Sequence, residues 1–188
     1  MEKKELIRLS ATKIIAKKGF YKTKVQAIAD DAGIAVGTVY IYYKNKEGIL
    51  DYIFETEHKN IVAFSEELEK KNISPLVKIK KLLKFHFKEL EDNPNLAKVL
   101  AQESKGPHDD ELQWIKNDSI GASKIFHKML DESKDKGEIG DIDTEFFGSI
   151  IFSLGRETAY LMQIKGKTDM QYNVFKELVT FIINGIKR

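Results

Sequence analysis

The chain has 188 residues, 42% of them hydrophobic and 32% charged, with only 3 prolines and no cysteine. That length and balance suffice for a packed core in one or two small domains, and they exclude disorder, collagen-like repeats, a disulfide framework and any cysteine-based metal site or nucleophile. No stretch approaches ~18 consecutive apolar residues and the charged N-terminus is followed by no apolar run, so neither a membrane span nor a signal peptide is expected, and the cytoplasm is the expected place of work.

Net charge is only +2, but it is unevenly spread. Residues 1–47 hold 10 Lys/Arg against 5 Asp/Glu, a basic unit ahead of a mildly acidic body. A basic end of this kind suits a polyanionic partner.

Apolar residues recur at helical spacing along nearly the whole chain, and alternating β-branched runs are absent, which predicts an all-α protein. The first helix carries Leu6, Ile7, Ala11, Ile14 and Ile15 on one stripe and is expected to end near Lys18, with Gly19 as a left-handed stop. Thr23-Lys24-Val25-Gln26 reads as a capping box opening a second helix, which Gly33 closes about two turns later. Val36 to Tyr43 forms a third, short helix, and Lys44-Asn45-Lys46 breaks the pattern. From Glu47 a long helix runs with Leu50, Ile53, Phe54, Ile61, Phe64 and Leu68 along one side. Ser74 caps the next helix, with Pro75 at its first position. Further helices are expected at about 75–91, 94–105, 109–136, 143–165 and 170–186. The breaks between them fall at Asn93-Pro94, Gly106-Pro107, Gly137-Glu138-Ile139-Gly140 and Gly166-Lys167. The domain division is expected at 1–46 and 47–188.

Two short helices joined by a glycine turn, after a supporting helix, make a helix-turn-helix. Val25, Ile28, Ile34, Val39 and Tyr43 form its inner face, and Ala29 permits close approach of the helices. Val36, Gly37, Thr38, Tyr40, Ile41 and Tyr42 remain outward. Such a run suits DNA: small residues let the backbone approach, and Tyr and Thr hydroxyls reach phosphate or base edges. Lys44 and Lys46 add positive charge at its end.

Gly19-Phe20, Thr23, Val25, Ile28-Ala29, Ala32-Gly33-Ile34, Gly37-Thr38-Val39-Tyr40, Tyr42-Tyr43, Asn45-Lys46-Glu47 and Leu50 together resemble the N-terminal signature of the TetR family of transcriptional regulators. The resemblance implies an all-helical homodimer. Its three-helix N-terminal domain reads a palindromic operator in double-stranded DNA, and its C-terminal helical domain dimerises and binds a small hydrophobic effector that releases the DNA, so that the chain acts as a repressor. Carried over by position, it makes Val36, Gly37, Thr38 and Tyr42 groove-facing and Tyr40 and Lys46 phosphate clamps, with Lys24, Gln26 and Ala35 completing the DNA-binding set. Lys24 and Ala35 depart from the family's usual capping Thr and Ser. The uncapped start at Ala35 forgoes roughly 1 kcal/mol.

His86-Phe87, Asn95-Leu96-Ala97, Gln102-Glu103 and Gly137-Glu138-Ile139 are further similar to the FadR branch of that family. That likeness implies a long-chain acyl-CoA effector and control of fatty-acid degradation. The expected effector pocket comprises Phe85, Leu96, Val99, Leu100, Trp114, Phe126, Met129, Phe147 and Ile151, and Lys81, Lys84 and Lys88 share one face that could receive the CoA phosphates. A run of this kind, which also includes Lys78 and Lys80, is more often a solvated face. A hydrophobic drug stacked on the same aromatics, in a regulator of multidrug efflux, is the alternative effector.

The last two helices are expected to form the dimer's four-helix bundle. Their interface residues are Phe146, Ile150, Leu154, Leu161, Phe175, Leu178, Val179, Ile182 and Ile183. Arg156 and Glu157 fit either that interface or the pocket. The four histidines are far apart in sequence and make no metal motif, and no nucleophile elbow, phosphate loop or dinucleotide fingerprint is present, so no catalytic residue, metal or cofactor is assigned. The alternative outside DNA binding is a helical protein-interaction module, which would not need the basic N-terminal face.

Overall fold

The structure, a computed structural model, describes residues 2–103, 113–165 and 171–186, without the side chains of 113–122, 156, 159, 160, 162–165, 171–173 and 175. Expectations for the side chains of Trp114, Arg156 and Phe175, and for the breaks at Gly106-Pro107 and Gly166-Lys167, fall outside that description. Among the described residues the chain forms α1 (Lys3–Lys18), α2 (Val25–Ala32), α3 (Val36–Tyr42), α4 (Lys46–Glu69), α5 (Pro75–Asp92), α6 (Pro94–Glu103), α7 (Gln113–Asp135), α8 (Thr144–Lys165) and α9 (Gln171–Ile186). None of these helices is long and apolar enough to cross a membrane.

Local chemistry explains most of the boundaries. Gly33 closes α2 in the left-handed conformation, at φ 65° and ψ 33°, where a Cβ would be strained. Ser74 Oγ accepts from the Val77 N–H and Pro75 opens α5, as the sequence predicts. Asn45 caps α4 by accepting from the Gly48 N–H at 2.8 Å, so that helix starts one residue earlier than expected. Two expectations are corrected. Gly19 does stop α1 with a positive φ of 79°, but its ψ of 156° places it outside the left-handed helical region. The capping box on α2 does not form: Thr23 is buried and its hydroxyl donates to the Gly19 carbonyl, while the Gln26 amide donates to Asp30. Thr23 is thus spent on closing the turn after α1, and the first turn of α2 has no side-chain cap.

Packing divides the apolar residues into two buried clusters. The first gathers Ile7, Ala11 and Ile15 of α1, Ile28 and Ala29 of α2, Val39 and Tyr43 at α3, and Ile49, Leu50, Ile53 and Phe54 of α4. Leu96, Ala97, Val99 and Leu100 of α6 join this cluster from the body. The second holds Ile61 and Leu68 of α4, Ile79, Leu82 and Leu83 of α5, Phe126, Met129 and Leu130 of α7, Ile151 and Phe152 of α8, and Ile182, Ile183 and Ile186 of α9. Helix α4 runs through both clusters without interruption, which makes it the rigid connection between the N-terminal unit and the body.

Candidate DNA-reading face and effector body

The α2–α3 unit is held from inside. Val39 is 1% exposed and Tyr43 5%, and the Tyr43 hydroxyl donates to the Lys4 carbonyl at 3.1 Å. Burial pushes the Tyr43 phenol well above its usual range, so it stays a neutral donor. Val25, Ile34 and Val36 pack partly against the same cluster, which leaves Val36 more inward than expected. Lys13 on α1 binds Asp31 on α2, and that hydrogen bond holds the Asp31 carboxyl below its usual range.

The opposite face is bare. Tyr40 is 53% exposed, Ile41 78% and Tyr42 40%, next to an exposed Gly37 and a half-exposed Thr38. Lys24, Gln26 and Ala35 are exposed on the same unit. Among the described residues, no fold-stabilising contact explains three large exposed side chains on one seven-residue helix.

Lys46 has an internal partner that the sequence did not reveal. Its Nζ donates to the Phe20 carbonyl at 2.9 Å and lies 4.2 Å from the centre of the Phe20 ring. The Phe20 N–H in turn donates to Glu103 Oε1 of α6 at 3.1 Å. Phe20 therefore stitches the body, through α6, to the start of α4 just beyond α3. An ammonium has three donors, so this bond leaves Lys46 capacity for a phosphate.

In the body, the structure brings Phe126, Met129 and Ile151 together in the second cluster, with Phe147 half-buried against them. Phe85 lies elsewhere on that core, stacked on Phe64 with ring centres 4.3 Å apart. Leu96, Val99 and Leu100, expected in the pocket, are packed into the first cluster instead. Helix α6 packs against both α1 and α8, and these three side chains join the buried cluster that seats the N-terminal unit, apart from the cluster of Phe126 and Ile151. Of the lysines after Pro75, Lys78 is 7% exposed and paired with Glu69 and Glu132, which removes it from any ligand face. Lys80, Lys81, Lys84 and Lys88 are exposed.

On the last two helices, Phe146 is 60% exposed, Leu161 44% and Phe181 73%, whereas Ile150, Leu154, Leu178 and Val179 are half-buried. Ile182 and Ile183 are only 6% and 4% exposed. Their place in the expected interface is corrected: they belong to the core of their own subunit, and Phe181, one residue before them, carries the outward apolar surface.

Two acidic side chains matter more than the sequence suggested. Glu57 is 4% exposed, on the buried side of α4, and His86, 3% exposed, meets it from α5 with Nδ1 3.0 Å from Glu57 Oε1. Glu57 follows Phe54 and precedes Ile61 at helical spacing, a signal of burial that could have been read. Burial, followed by the nearby Glu57 charge, raises the Glu89 carboxyl above its usual range. Glu57 and Glu89 also line a cleft of about 240 Å³ between α1, α4 and the α5–α6 corner, together with Arg8, Thr12, Thr56 and Asn60. Leu9, Pro94 and Leu96 add apolar surface to these polar groups, so the lining is mixed.

Fold and exposed face together define a helix-turn-helix regulator mounted on a helical body. The family profile of bacterial regulatory proteins of the tetR family matches residues 7–53. The fatty acid metabolism regulator protein of Bacillus subtilis (strain 168) is 31% identical over 150 residues, 79% of this chain and 77% of that protein. A fatty acid degradation regulator, FadR from Bacillus halodurans, superimposes with a TM-score of 0.89 at 26% identity, over 98% of this chain and 96% of its own. FadR from Bacillus subtilis, solved in complex with stearoyl-CoA, gives 0.86 at 27% identity, over 97% and 98%. The chain belongs to the TetR family of bacterial transcriptional regulators, in its FadR-like branch. It is a DNA-binding transcriptional regulator.

Proposed function

We propose that the chain is a homodimeric cytoplasmic repressor that grips a palindromic duplex through paired α3 helices and lets go when a long-chain acyl-CoA occupies the body. The observation that carries the DNA half is the bare face of α3, from Gly37 to Tyr42, on a unit whose other side is fully packed. The relative solved with stearoyl-CoA supports the effector half and favours it over a drug-responsive reading. An acyl tail gains ~0.8 kcal/mol per buried CH₂, so about a dozen carbons against aromatic walls supply enough to bias a two-state protein. Lys81, Lys84 and Lys88 are the candidate cations for the CoA phosphates.

In this reading Val36, Gly37, Thr38 and Tyr42 face the groove, and Lys24, Gln26, Ala35, Tyr40 and Lys46 meet the backbone beside it. Lys46→Ala should weaken binding about equally on every sequence and reduce the slope of log affinity against log salt by about 1 per subunit. Thr38→Ala and Tyr42→Phe should instead change which duplexes are preferred in a selection from random sequence. Unaltered affinity and salt slope in the Lys46 variant would remove it from the contact set.

The dimer reading is supported by the exposed apolar side chains Phe146, Leu161 and Phe181 on α8 and α9. A negative charge at such a position must be desolvated on association. Phe146→Asp combined with Phe181→Asp should shift equilibrium sedimentation from dimer towards monomer at micromolar concentration, with helicity retained. A dimer that persists in the double variant would place the interface elsewhere.

The effector claim is tested on a preformed complex with a selected duplex, followed by fluorescence anisotropy. Stearoyl-CoA should release the DNA at concentrations where free CoA and a cationic dye do not. Release by the dye alone, or equal release by free CoA, defeats the acyl-chain reading.

A further inference from the structure

The Glu57–His86 pair has no role in the packing of the α2–α3 unit, and each partner keeps one polar atom idle. Glu57 Oε2 and His86 Nε2 are buried and have no hydrogen-bond partner among the described residues. Buried polar atoms in native proteins are nearly always bonded, so an idle one marks a place where something else binds. Aromatic side chains flank the His86 ring. The Phe152 ring centre lies 6.0 Å from that of His86, and Phe126 continues the cluster 6.4 Å beyond Phe152. Gly155 of α8 passes close to this edge of the ring, where an added Cβ would stand in ordinary contact, 3.6 Å from His86 Cδ2 and 3.7 Å from Phe87 Cε2.

Burying a lone carboxylate is far more costly than burying a pair that is neutral overall. With Nδ1 engaged by Glu57, the ring form that carries a proton on Nε2 presents an N–H with nothing to donate to among the described residues. A single buried polar atom beside aromatic side chains is the arrangement that fixes the orientation of a mainly apolar ligand.

We propose that His86 Nε2 is the polar anchor of the effector site, donating to the carbonyl oxygen of a long-chain acyl thioester whose tail packs among the aromatic side chains of α7 and α8. The inference rests on the acyl-CoA reading above and names the atom of the ligand that is sensed. Because Glu57 holds the same ring from α4, the hydrogen bond to the ligand is made one side chain away from the helix on which the DNA-reading unit is mounted. Glu57 is a positioning residue: it fixes the ring and does not itself touch the thioester.

The test is calorimetric titration of the full chain with stearoyl-CoA and with S-octadecyl-CoA, the thioether of equal chain length that lacks the carbonyl oxygen. The wild-type chain should bind the thioester about tenfold more tightly, the worth of one hydrogen bond to a buried donor. His86→Phe should bind the two equally, and His86→Gln, which keeps an N–H donor, should recover part of the preference. A loss of packing alone would weaken both ligands alike and leave their ratio unchanged. Equal binding of the two by the wild-type chain, or an undiminished preference in His86→Phe, overturns the proposal. The wild-type ratio decides even where a variant fails to fold. Binding of neither compound refutes the acyl-CoA reading and the anchor together, whereas indiscriminate binding of both refutes the anchor alone.

Discussion

Gly37→Trp should lower duplex affinity by at least about thirtyfold while the protein melts at the same temperature or slightly higher. Gly37 lies on the exposed side of α3, and a Cβ built there meets nothing within 4 Å. A large side chain therefore folds without a clash, and replacing a helical glycine contributes a few tenths to about 1 kcal/mol of helix stability. Against DNA the same side chain stands where the backbone of α3 must enter the major groove. Disturbed recognition of a single base pair typically costs about 1–3 kcal/mol, and in the dimer both half-sites are disturbed. Anisotropy on a selected duplex, alongside a thermal melt, separates the two effects. Retained affinity would take this face of α3 out of the interface, and a collapsed melting temperature would make Gly37 a structural residue.

Gly148→Ala should have the opposite profile, with the harm confined to stability. An added Cβ would lie 2.8 Å from the His127 backbone nitrogen, 3.0 Å from the Ser123 carbonyl oxygen and 3.1 Å from the His127 Cα. These are main-chain atoms of α7 and cannot swing aside. Overpacking of this sort costs about 1–3 kcal/mol, and separating α7 from α8 disturbs every layer of the second cluster, so the gain in helix propensity does not offset it. A net loss of about 2 kcal/mol corresponds to a melting temperature lower by roughly 4–8 °C in a chain of this size. Gly185→Ala in α9, where a Cβ meets nothing within 4 Å, is the matched control and should be neutral or stabilising. Equal stability of the two variants would refute the close approach of α7 and α8.

The sequence was most legible where period and punctuation agreed. The apolar stripe of α4, the cap and proline at Ser74-Pro75, and the glycines at the ends of α1 and α2 each leave a local trace, and helix ends followed within a residue or so. The exposed run on α3 was readable for the same reason: Val39 and Tyr43 take the inner side at a four-residue spacing, so their neighbours must point away. What escaped was tertiary choice. Thr23 could cap α2 or close the preceding turn, and only the burial of that turn decides. Leu96, Val99 and Leu100 form a plain amphipathic stripe, and nothing in it says that these side chains join the buried cluster of α1 while α6 also packs on α8. Ile182 and Ile183 look like interface residues until α5 is seen to need them. The bonds from Phe20 to Glu103 and Lys46 join residues remote in sequence and leave no pattern at all.

Those bonds, with the unbroken α4, give the body two holds on the DNA-reading unit. A ligand can move that unit only if the released and gripping arrangements differ in their affinity for it. Coupling of this kind is reciprocal and typically amounts to 5–150-fold in affinity. The most direct measurement is the dissociation constant of stearoyl-CoA for the chain, taken without DNA and again with a saturating selected duplex. The duplex should weaken stearoyl-CoA binding by the same factor by which stearoyl-CoA weakens duplex binding. An acyl-CoA affinity that is identical with and without DNA would contradict an effector-released repressor.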